Sequence, residues 1–377
     1  MKKFIRKFTK HSIVVCNVLV SSSMLFLYVL PKSNQSFFWI VNLVALIFPF
    51  LLLVQLGFLL FWFFAKRKLT LIPIVTLLLC WPFIHSLFSI SKNAKPGQGT
   101  AFSMASWNVH LFNFYENDGN LDKGMMEQAA GFKADILALQ ELVFSIDSTS
   151  HMSLDNVRKK LGYKYAIAGN DRGFGVHTNA GKRNERYFAF CVALFSNYPI
   201  IRWQKVQSLR EYNHTFIWAD VTIGKDTLRF FNVHLQSMHF AKDDYDFIET
   251  IDNKGIEEVK KAGRNIIKKM RNANVQRAIQ VNAVKEEVLK SPYPVVLCGD
   301  FNDVPNSYAY QTINDVLHDA FIKKGNGIGR TFMKLSPTLR IDFMFYSPAL
   351  TVEQFHVVPH SLSDHRPLNA RFLIPQQ

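Results

Sequence analysis

Six short polar clusters, each following an apolar run, carry the side chains in this sequence that are best suited to chemistry. In chain order they are Trp107-Asn108, Gln140-Glu141, Asn232-Val233-His234, Gly299-Asp300-Phe301-Asn302, Arg340-Ile341-Asp342 and Ser363-Asp364-His365. One such cluster alone is more often a cap or a turn than a site. Six at the ends of strand-like runs predict a common site, because strand ends that meet at one edge of a sheet are where α/β proteins place ligands and catalytic groups.

The residue types in these clusters match the needs of phosphoester hydrolysis. That reaction requires stabilised charge on the non-bridging oxygens, a positioned water and help for the leaving oxygen, and a hard divalent cation supplies several of these together. Glu, Asp and Asn offer oxygen ligands and the clusters contain no thiolate, which favours Mg²⁺ or Mn²⁺ over zinc. An imidazole held by a carboxylate is oriented and more readily protonated, which suits a group that faces a phosphate.

The order of the clusters resembles that of the endonuclease/exonuclease/phosphatase superfamily, the deoxyribonuclease I-like hydrolases. The most specific part is GDFN at residues 299–302, followed by a strand that carries RID and by SDH near the C-terminus, and the resemblance covers residues 102–374. GDFNDVPNSYAY and the apolar segments before it are similar to a membrane-anchored bacterial group of that superfamily. The resemblance implies an α/β fold, a layered sandwich of two mixed β-sheets flanked by helices.

The resemblance also implies a role for each polar residue. It places Asn108, Glu141 and Asp364 at the metal ion, and His234, Asp300, Asn302, Asp342 and His365 at the scissile phosphate. Asp300 and Asn302 match the pair that orients the attacking water. His365 matches the histidine that is paired with a carboxylate, here Asp342, and His234 matches a second histidine that stabilises developing charge. The motifs leave open which group takes the proton and whether one metal ion or two are bound.

Two basic segments lie outside these motifs. The glycine-rich segment at residues 169–190 contains Arg172 and Arg186, which are predicted to bind the substrate, although a solvated hairpin would have the same composition. A charged stretch from about 253 to 290 has helical spacing. Its Lys and Arg residues suit phosphate or lipid headgroups, and a solvated helix face is the alternative.

The first 90 residues differ sharply from the rest of the chain. Apolar runs at 12–30, 37–65 and 69–90 contain no ionised side chain, and each has about the 20 residues that a membrane-spanning helix needs. A cleaved signal peptide would explain only the first run. The sequence therefore predicts three transmembrane helices over residues 1–90, a linker at 91–101 and a hydrolase domain at 102–377. Asn42, Gln55 and His85 inside the runs are predicted to hydrogen-bond helix to helix.

Charge predicts the orientation of these helices. Nine of the 44 Lys and Arg residues and none of the 29 Asp and Glu residues lie in the first 90 positions. Five precede the first run, and Lys66, Arg67 and Lys68 separate the second from the third. By the positive-inside rule both segments are cytoplasmic, so an odd number of spans puts the C-terminal domain outside. We expect a multi-pass protein of the cell (inner) membrane, with its catalytic domain external, or periplasmic where an outer membrane exists.

These patterns predict a membrane-anchored, metal-dependent phosphoesterase that acts outside the cytoplasm on a phospholipid or another phosphodiester. A nuclease is the closest alternative, but the 35 basic and 29 acidic residues after position 90 leave a surplus of only six, which is a weak signal for nucleic acid. An inactive binding or sensor domain has no reason to keep all the motif residues. The predicted partners are the lipid bilayer and the phosphoester substrate, and no protein partner is inferred.

Overall fold

Two long apolar helices begin the chain. The computed structural model describes residues 2–29, 38–91, 97–176, 186–207, 215–238, 247, 250 and 256–376. Helices α1 (Lys2–Val29) and α2 (Phe38–Ala65) contain apolar stretches of 20 and 27 residues, at Phe8–Leu27 and Trp39–Ala65. Only 22% and 17% of these stretches is buried inside the protein, whereas the core helix of a soluble protein is mostly buried. Their length and exposed apolar surface are consistent with a membrane anchor.

A buried polar cluster joins α1 to α2. Asn17 donates a hydrogen bond to Gln55 (3.1 Å) and accepts one from the indole of Trp62 (3.1 Å), while Gln55 donates to Ser21 (2.9 Å). An apolar cluster at the other end of the pair brings Met24 and its neighbours against the first turns of α2. The helices are therefore antiparallel, and the prediction that Gln55 bonds helix to helix is confirmed.

The third predicted span, residues 69–90, is not one helix, so that part of the prediction is wrong. The chain forms a 3₁₀ turn (Arg67–Thr70), helix α3 (Leu71–Leu79), helix α4 (Trp81–His85) and a short strand β1 (Ser89–Ile90). The break falls at Cys80, where ψ is 5°, and Pro82 at the start of α4 lacks the N–H that a continuous helix would use. The segment still packs along α2, since the rings of Phe83 and Phe48 lie 6.3 Å apart. His85 at its end is exposed and is not the predicted helix-to-helix bond.

The C-terminal part alternates strands and helices. Its elements are β2 (Gly99–Asn108), α5 (Lys123–Gly131), β3 (Ile136–Ser145), α6 (Leu154–Leu161), β4 (Tyr165–Val176), β5 (Arg186–Ser196), β6 (Ile200–Gln207), β7 (Thr215–Ile223), β8 (Asp226–His234), α7 (Ile256–Leu289), β9 (Val295–Asp300), α8 (Tyr308–Asn314), β10 (His318–Asp319), α9 (Ala320–Lys324), β11 (Asn326–Gly327), β12 (Asp342–Tyr346), β13 (Thr351–Val357) and β14 (Leu368–Pro375). Strand β2 begins inside the predicted linker, and residues 92–96 of that linker lie outside the described residues.

Two six-stranded sheets form the centre of this part. The first has the order β13-β14-β2-β3-β5-β4 and the second β10-β12-β9-β8-β7-β6. In each sheet one central pair is parallel, β2 with β3 and β8 with β9, and the other pairs are antiparallel. The predicted layered sandwich of two mixed sheets flanked by helices is confirmed.

The apolar patterns of the strands explain the layers. Phe102, Phe230 and Phe372 meet between the sheets, with ring centroids 5.4 to 5.7 Å apart. The outer face of the first sheet packs on α5 and α6, and that of the second on α7 and α8. Strand β9 (VVLCGD) is buried along its whole length, as expected for a strand covered on both faces.

Candidate active site

The register of the strands brings four of the predicted residues to one edge of the sandwich. Asn108 ends β2, His234 ends β8 and Asp300 ends β9, with His234 directly opposite Asp300 in the parallel pair. Asp342 begins the antiparallel strand β12 and lies opposite Asp300 on its other side. Because carboxyl ends of parallel strands share an edge with the amino end of an antiparallel neighbour, these groups meet without any loop having to position them.

Glu141 reaches this edge through a β-bulge. Between Leu139 and Leu142, β3 has one more residue than the facing strand β5, and Glu141 has a φ of 55°. Both leucines pack on the outer face of the first sheet, so Gln140 and Glu141 together occupy the inward position. A bulge of this kind re-aims a side chain, and here it brings Oε1 of Glu141 to 3.2 Å from Nδ2 of Asn108.

A buried amide pair sets the separation of the two sheets beneath the site. Gln140 donates to the side-chain oxygen of Asn232 at 2.7 Å, and the Asn232 amide donates to the carbonyl oxygens of Leu139 (2.9 Å) and Ala193 (2.8 Å). These bonds run from the first sheet to the second. As a result Nε2 of His234 lies 3.6 Å from Oε1 of Glu141, across the gap.

Asp300 is the centre of the cluster. Its Oδ1 accepts the N–H of Asn302 (2.7 Å), and its Oδ2 accepts a hydrogen bond from Asn108 (3.0 Å) and lies 3.7 Å from His234. Burial, together with the neighbouring charge of Asp342, raises the pKa of Asp300 to about 6. The amide of Asn302, a residue with a φ of 51°, is held in place by donation to a backbone carbonyl at 3.0 Å.

Gly299 permits this close packing of strands. A Cβ at position 299 would lie 1.9 Å from the carbonyl oxygen of Val233 in β8, and the φ of Gly299 is 139°. Only glycine tolerates both the contact and the backbone angle. The glycine of GDFN therefore fixes where Asp300 lies.

His365 and Asp342 form a buried ion pair. Nδ1 of His365 lies 2.9 Å from one carboxylate oxygen of Asp342 and 3.1 Å from the other, and Nε2 lies 3.8 Å from Oδ2 of Asp300. Burial opposes protonation, but the carboxylates of Asp342 and Asp300 outweigh it and raise the pKa of His365 to about 10. With Nδ1 occupied, Nε2 is the nitrogen that faces the cleft, so His365 is a cation aimed at the site.

Asp364, next to His365 in the chain, also lines the cleft. It pairs with two residues that the sequence analysis missed. Its carboxylate is 2.9 Å from Nζ of Lys334 and 3.6 Å from Nδ1 of His110. Burial opposes its ionisation, but the surrounding positive charge, led by His365, lowers the pKa of the Asp364 carboxyl. His110 follows Asn108 by two residues, which was a usable signal. Lys334 lies in a loop without a motif.

A second buried ion pair supports the GDFN loop from behind and also escaped the sequence analysis. Nε of Arg277, on α7, lies 3.4 Å from Oδ2 of Asp303, and the Arg277 guanidinium donates to the carbonyl oxygen of Asn302. Asn42 of α2 donates to the same Asp303 oxygen at 2.7 Å and accepts the N–H of Tyr308 at 2.9 Å. The predicted role of Asn42 between apolar helices is therefore wrong, because its amide joins α2 to the C-terminal part.

These groups surround one cleft of about 320 Å³. The residues that line it are Asn42, Leu46, His110, Glu141, Ser237, Met238, Met270, Asn274, Arg277, Asp300, Asn302, Asp303, Val304, Phe332, Leu335, Leu339, Ile341, Asp364 and His365. Arg172 and Arg186 occupy positions on β4 and β5, but their side chains lie outside the described part of the structure. Their predicted contact with substrate remains a prediction.

The donor set of the cleft fits a hard divalent cation. Carboxylate oxygens of Glu141, Asp300 and Asp364 line it without any thiolate among the described residues, and oxygen is what Mg²⁺ and Mn²⁺ prefer. Asp300, Asp342 and His365 have potential ligand atoms within 4.8 Å of one another, but His365 already binds Asp342 through Nδ1. Asn108 points its Nδ2 at the carboxylates and accepts the His110 N–H (3.0 Å) on its oxygen, so in this arrangement it orients Glu141 and Asp300.

Comparisons with known proteins agree with the fold. The profile of the Endonuclease/Exonuclease/phosphatase family matches residues 105–365, so the chain belongs to this family of phosphoester hydrolases. A second profile, a domain of unknown function, matches residues 10–87. No curated protein matches the chain.

Solved structures share the fold at low identity. An endonuclease/exonuclease/phosphatase from Beutenbergia cavernae superposes with a TM-score of 0.53 at 18% identity, covering 73% of this chain and 72% of its own. A family protein from Bacteroides thetaiotaomicron gives 0.50 at 19% identity, covering 74% and 100%. At 18% and 19% identity the similarity establishes the fold alone, and the function of the site depends on its own residues and geometry.

Proposed function

We propose that this protein is a membrane-anchored phosphoesterase that uses Mg²⁺ or Mn²⁺ to hydrolyse a phosphoester outside the cytoplasm. The main support for the proposal is that five residues from separate parts of the chain converge at one edge of the sandwich. Each has a side-chain atom within 4 Å of another member of the group. The five residues are Asn108, Glu141, His234, Asp300 and His365. Structural ion pairs seldom combine two histidines, two carboxylates and an amide around an open cleft.

The residues divide into three roles. Glu141 and Asp364, with Asp300 beside them, would hold the divalent cation, which when bound neutralises charge on the phosphate oxygens. Asp300 and Asn302 orient a water whose oxygen attacks phosphorus as the bond from phosphorus to the leaving oxygen breaks. His365 and His234 stabilise the charge that develops on the phosphate. The leaving oxygen takes a proton, and the products are an alcohol and a phosphate or phosphomonoester.

Metal dependence is the first test. The full-length chain, purified in detergent, is assayed on bis(4-nitrophenyl) phosphate, a small diester that needs no specific recognition. EDTA should abolish hydrolysis and Mg²⁺ or Mn²⁺ should restore it, because the cleft supplies carboxylates for a hard cation. Undiminished turnover in EDTA would falsify the metal-dependent mechanism.

Location is tested separately. The basic segment Lys66–Lys68 favours a cytoplasmic location for that end of α2. Residues 71–85, although broken at Cys80, return along α2 to the end where Asn42 bonds to Asp303, so the same charge bias favours an external C-terminal part. Alkaline phosphatase, which is active only outside the cytoplasm, should be active when fused after residue 95 and inactive when fused after residue 67. The reversed pattern in well-expressed fusions would show that the proposed orientation is wrong.

Nucleic acid is the second candidate substrate. It is favoured by exposed cations on α7, a helix that also lines the cleft through Met270. A nuclease that contacts several successive phosphates loses affinity steeply as salt rises. Oligonucleotide cleavage that is faster than diester hydrolysis and falls steeply with salt would favour this candidate.

A further inference from the structure

The cleft has two walls of opposite chemistry. One wall contains the charged groups at the strand edge, including Glu141, Asp300 and His365. The other, called the apolar wall, is made of the eight apolar side chains of the lining: Leu46, Val304, Phe332, Leu339 and Ile341 pack in one cluster, and Met238, Met270 and Leu335 also line the cleft. A phosphate needs the first wall only, so the second is available for an apolar part of the same substrate.

The apolar wall is continuous with the membrane anchor. Ala45 and Leu46 of α2 pack in one cluster with Val304, Leu339 and Ile341 of the C-terminal part, and Asn42 is bonded to Asp303 in the cleft. A helix that the cleft shares with the anchor cannot move away from the site without breaking these contacts. The cleft therefore opens beside α2 and not at a distance from the bilayer.

The position of α2 in a bilayer sets the depth of the cleft. Its 27 apolar residues rise about 40 Å, roughly 10 Å more than the hydrocarbon core is thick. If the two ends share this excess, Asn42 lies near the boundary between headgroups and acyl chains, and Leu46 lies about 5 Å deeper, among the acyl chains. Trp39 at the start of the apolar stretch is the residue type that favours this interface.

Helix α7 lies at the same level. Met270, Asn274 and Arg277 follow one another at helical spacing and line the cleft. A neighbouring exposed stripe combines cations with apolar side chains at Lys260, Arg264, Lys268, Arg271, Val275 and Ile279. The guanidinium of Arg271 lies 6.0 Å from the ring centroid of Trp39. A stripe of mixed cations and apolar residues beside an interfacial Trp suits an anionic lipid surface.

We infer that the substrate is a membrane phospholipid, held with its phosphoester against the strand-edge residues and its acyl chains along Leu46 and Met270. This inference rests on the proposed function and names the substrate of the same site. The reaction consumes water and breaks one bond between phosphorus and oxygen of the headgroup linkage. It releases one part of the lipid to the aqueous phase and leaves the acylated part in the bilayer.

The test uses the full-length chain reconstituted in vesicles of phosphatidylethanolamine and phosphatidylglycerol. Leu46→Trp and Met270→Trp narrow the apolar wall from two different helices. Leu60→Trp on α2 and Leu289→Trp on α7 add the same side chain at sites that are 62% and 65% exposed and neither line the cleft nor belong to the exposed stripe. Lipid products are measured by mass spectrometry, and bis(4-nitrophenyl) phosphate is assayed in the same preparation.

We expect the ratio of lipid turnover to diester hydrolysis to fall roughly tenfold or more in both cleft variants, the scale of a lost apolar pocket contact. Both control variants should match the wild type. A soluble short-chain phospholipid should also inhibit diester hydrolysis by the wild type in detergent, and less so in Leu46→Trp. This second measurement reports binding even when the lipid is not cleaved.

Three outcomes would overturn the inference. If the diester is hydrolysed but vesicle lipid is neither cleaved nor a short-chain lipid inhibitory, the lipid assignment is wrong and the proposed function stands. If both cleft variants lower diester and lipid turnover equally, the apolar wall does not select lipid. If no metal supports diester hydrolysis, the proposed function fails and the inference fails with it.

Discussion

Two buried ion pairs of arginine with aspartate, Arg229 with Asp220 and Arg277 with Asp303, have similar chemistry but different surroundings. Arg229 and Asp220 form a bidentate pair at 2.7 and 2.9 Å within the second sheet, in the middle of facing strands. Arg277 and Asp303 lie 3.4 Å apart, and their other bonds include one to Asn302 of the GDFN loop and one to Asn42 of α2.

This difference separates a pair that supports only the fold from a pair that also contacts the GDFN loop. Strand register positions the first pair, and neither of its residues lines the cleft. The second pair joins the GDFN loop to the apolar helix α2 through hydrogen bonds. We therefore expect loss of either pair to weaken the fold, and only loss of the second to change catalysis.

The largest expected effect comes from replacing Asp300, the central carboxylate of the site, which belongs to neither ion pair. Asp300→Asn should lower kcat by about a hundredfold or more, because it removes charge and water orientation at the reacting centre. Glu127→Gln, a matched change at an exposed carboxylate on α5, should have wild-type activity. Near-normal activity of Asp300→Asn in a folded protein would refute the assignment of the site.

Asp342→Asn tests another buried ion pair, the one between Asp342 and His365. The pKa of His365 is raised above its ordinary value of 6.5 to about 10, so the pair stabilises the fold fully below about pH 6.5, and this contribution is lost as pH rises through about 10. In metal-free protein, the melting temperature of Asp342→Asn should lie well below that of wild type at pH 7 and approach it above pH 10. NMR of His365 should show its pKa lowered. An equal deficit at every pH would argue against the ion pair.

Replacing each arginine by methionine tests the comparison directly. Arg277→Met and Arg229→Met each leave a buried carboxylate without its cation, which typically costs about 3 to 5 kcal/mol of stability. Below the melting transition, only Arg277→Met should lower kcat, on the order of tenfold to a hundredfold if the GDFN loop shifts by about 1 Å. Denaturant melts and steady-state kinetics are measured on the same samples. Equal kinetic loss in both variants would remove the distinction between the pairs.

The smallest expected effect concerns the hydrogen bond from Asn42 of α2 to Asp303. Asn42→Ala removes a hydrogen bond to the Asp303 carboxylate, worth about 1.5 to 3 kcal/mol, and should lower kcat by a few-fold to tenfold with little change in KM. Gln55→Ala removes hydrogen bonds between α1 and α2 and should reduce stability without changing kcat. If Asn42→Ala and Gln55→Ala have the same effect on kcat, the bond from Asn42 to Asp303 makes no separate contribution to catalysis.

Much of the fold and site follows from local patterns. Strands β9 and β12, which carry the GDFN and RID motifs, and the helix at 256–289 agree with the sequence prediction within a few residues. The edge strands of the two six-stranded sheets, β4, β6, β10 and β13, contain none of the six motifs. Edge strands have one unpaired side and more polar residues, so their sequences carry a weaker apolar pattern.

The identities and order of the candidate site residues follow from the sequence alone, because each ends a recognisable strand or motif. Their separations depend on contacts between residues far apart in the chain. The bulge at Glu141 arises from pairing with β5, and the gap between the sheets is set by Gln140 and Asn232. The bond from Asn42 to Asp303 spans 261 positions, and no local pattern could reveal it. Side-chain type is a local property of the chain, whereas register, bulges and packing are decided only when distant segments compete for the same partners.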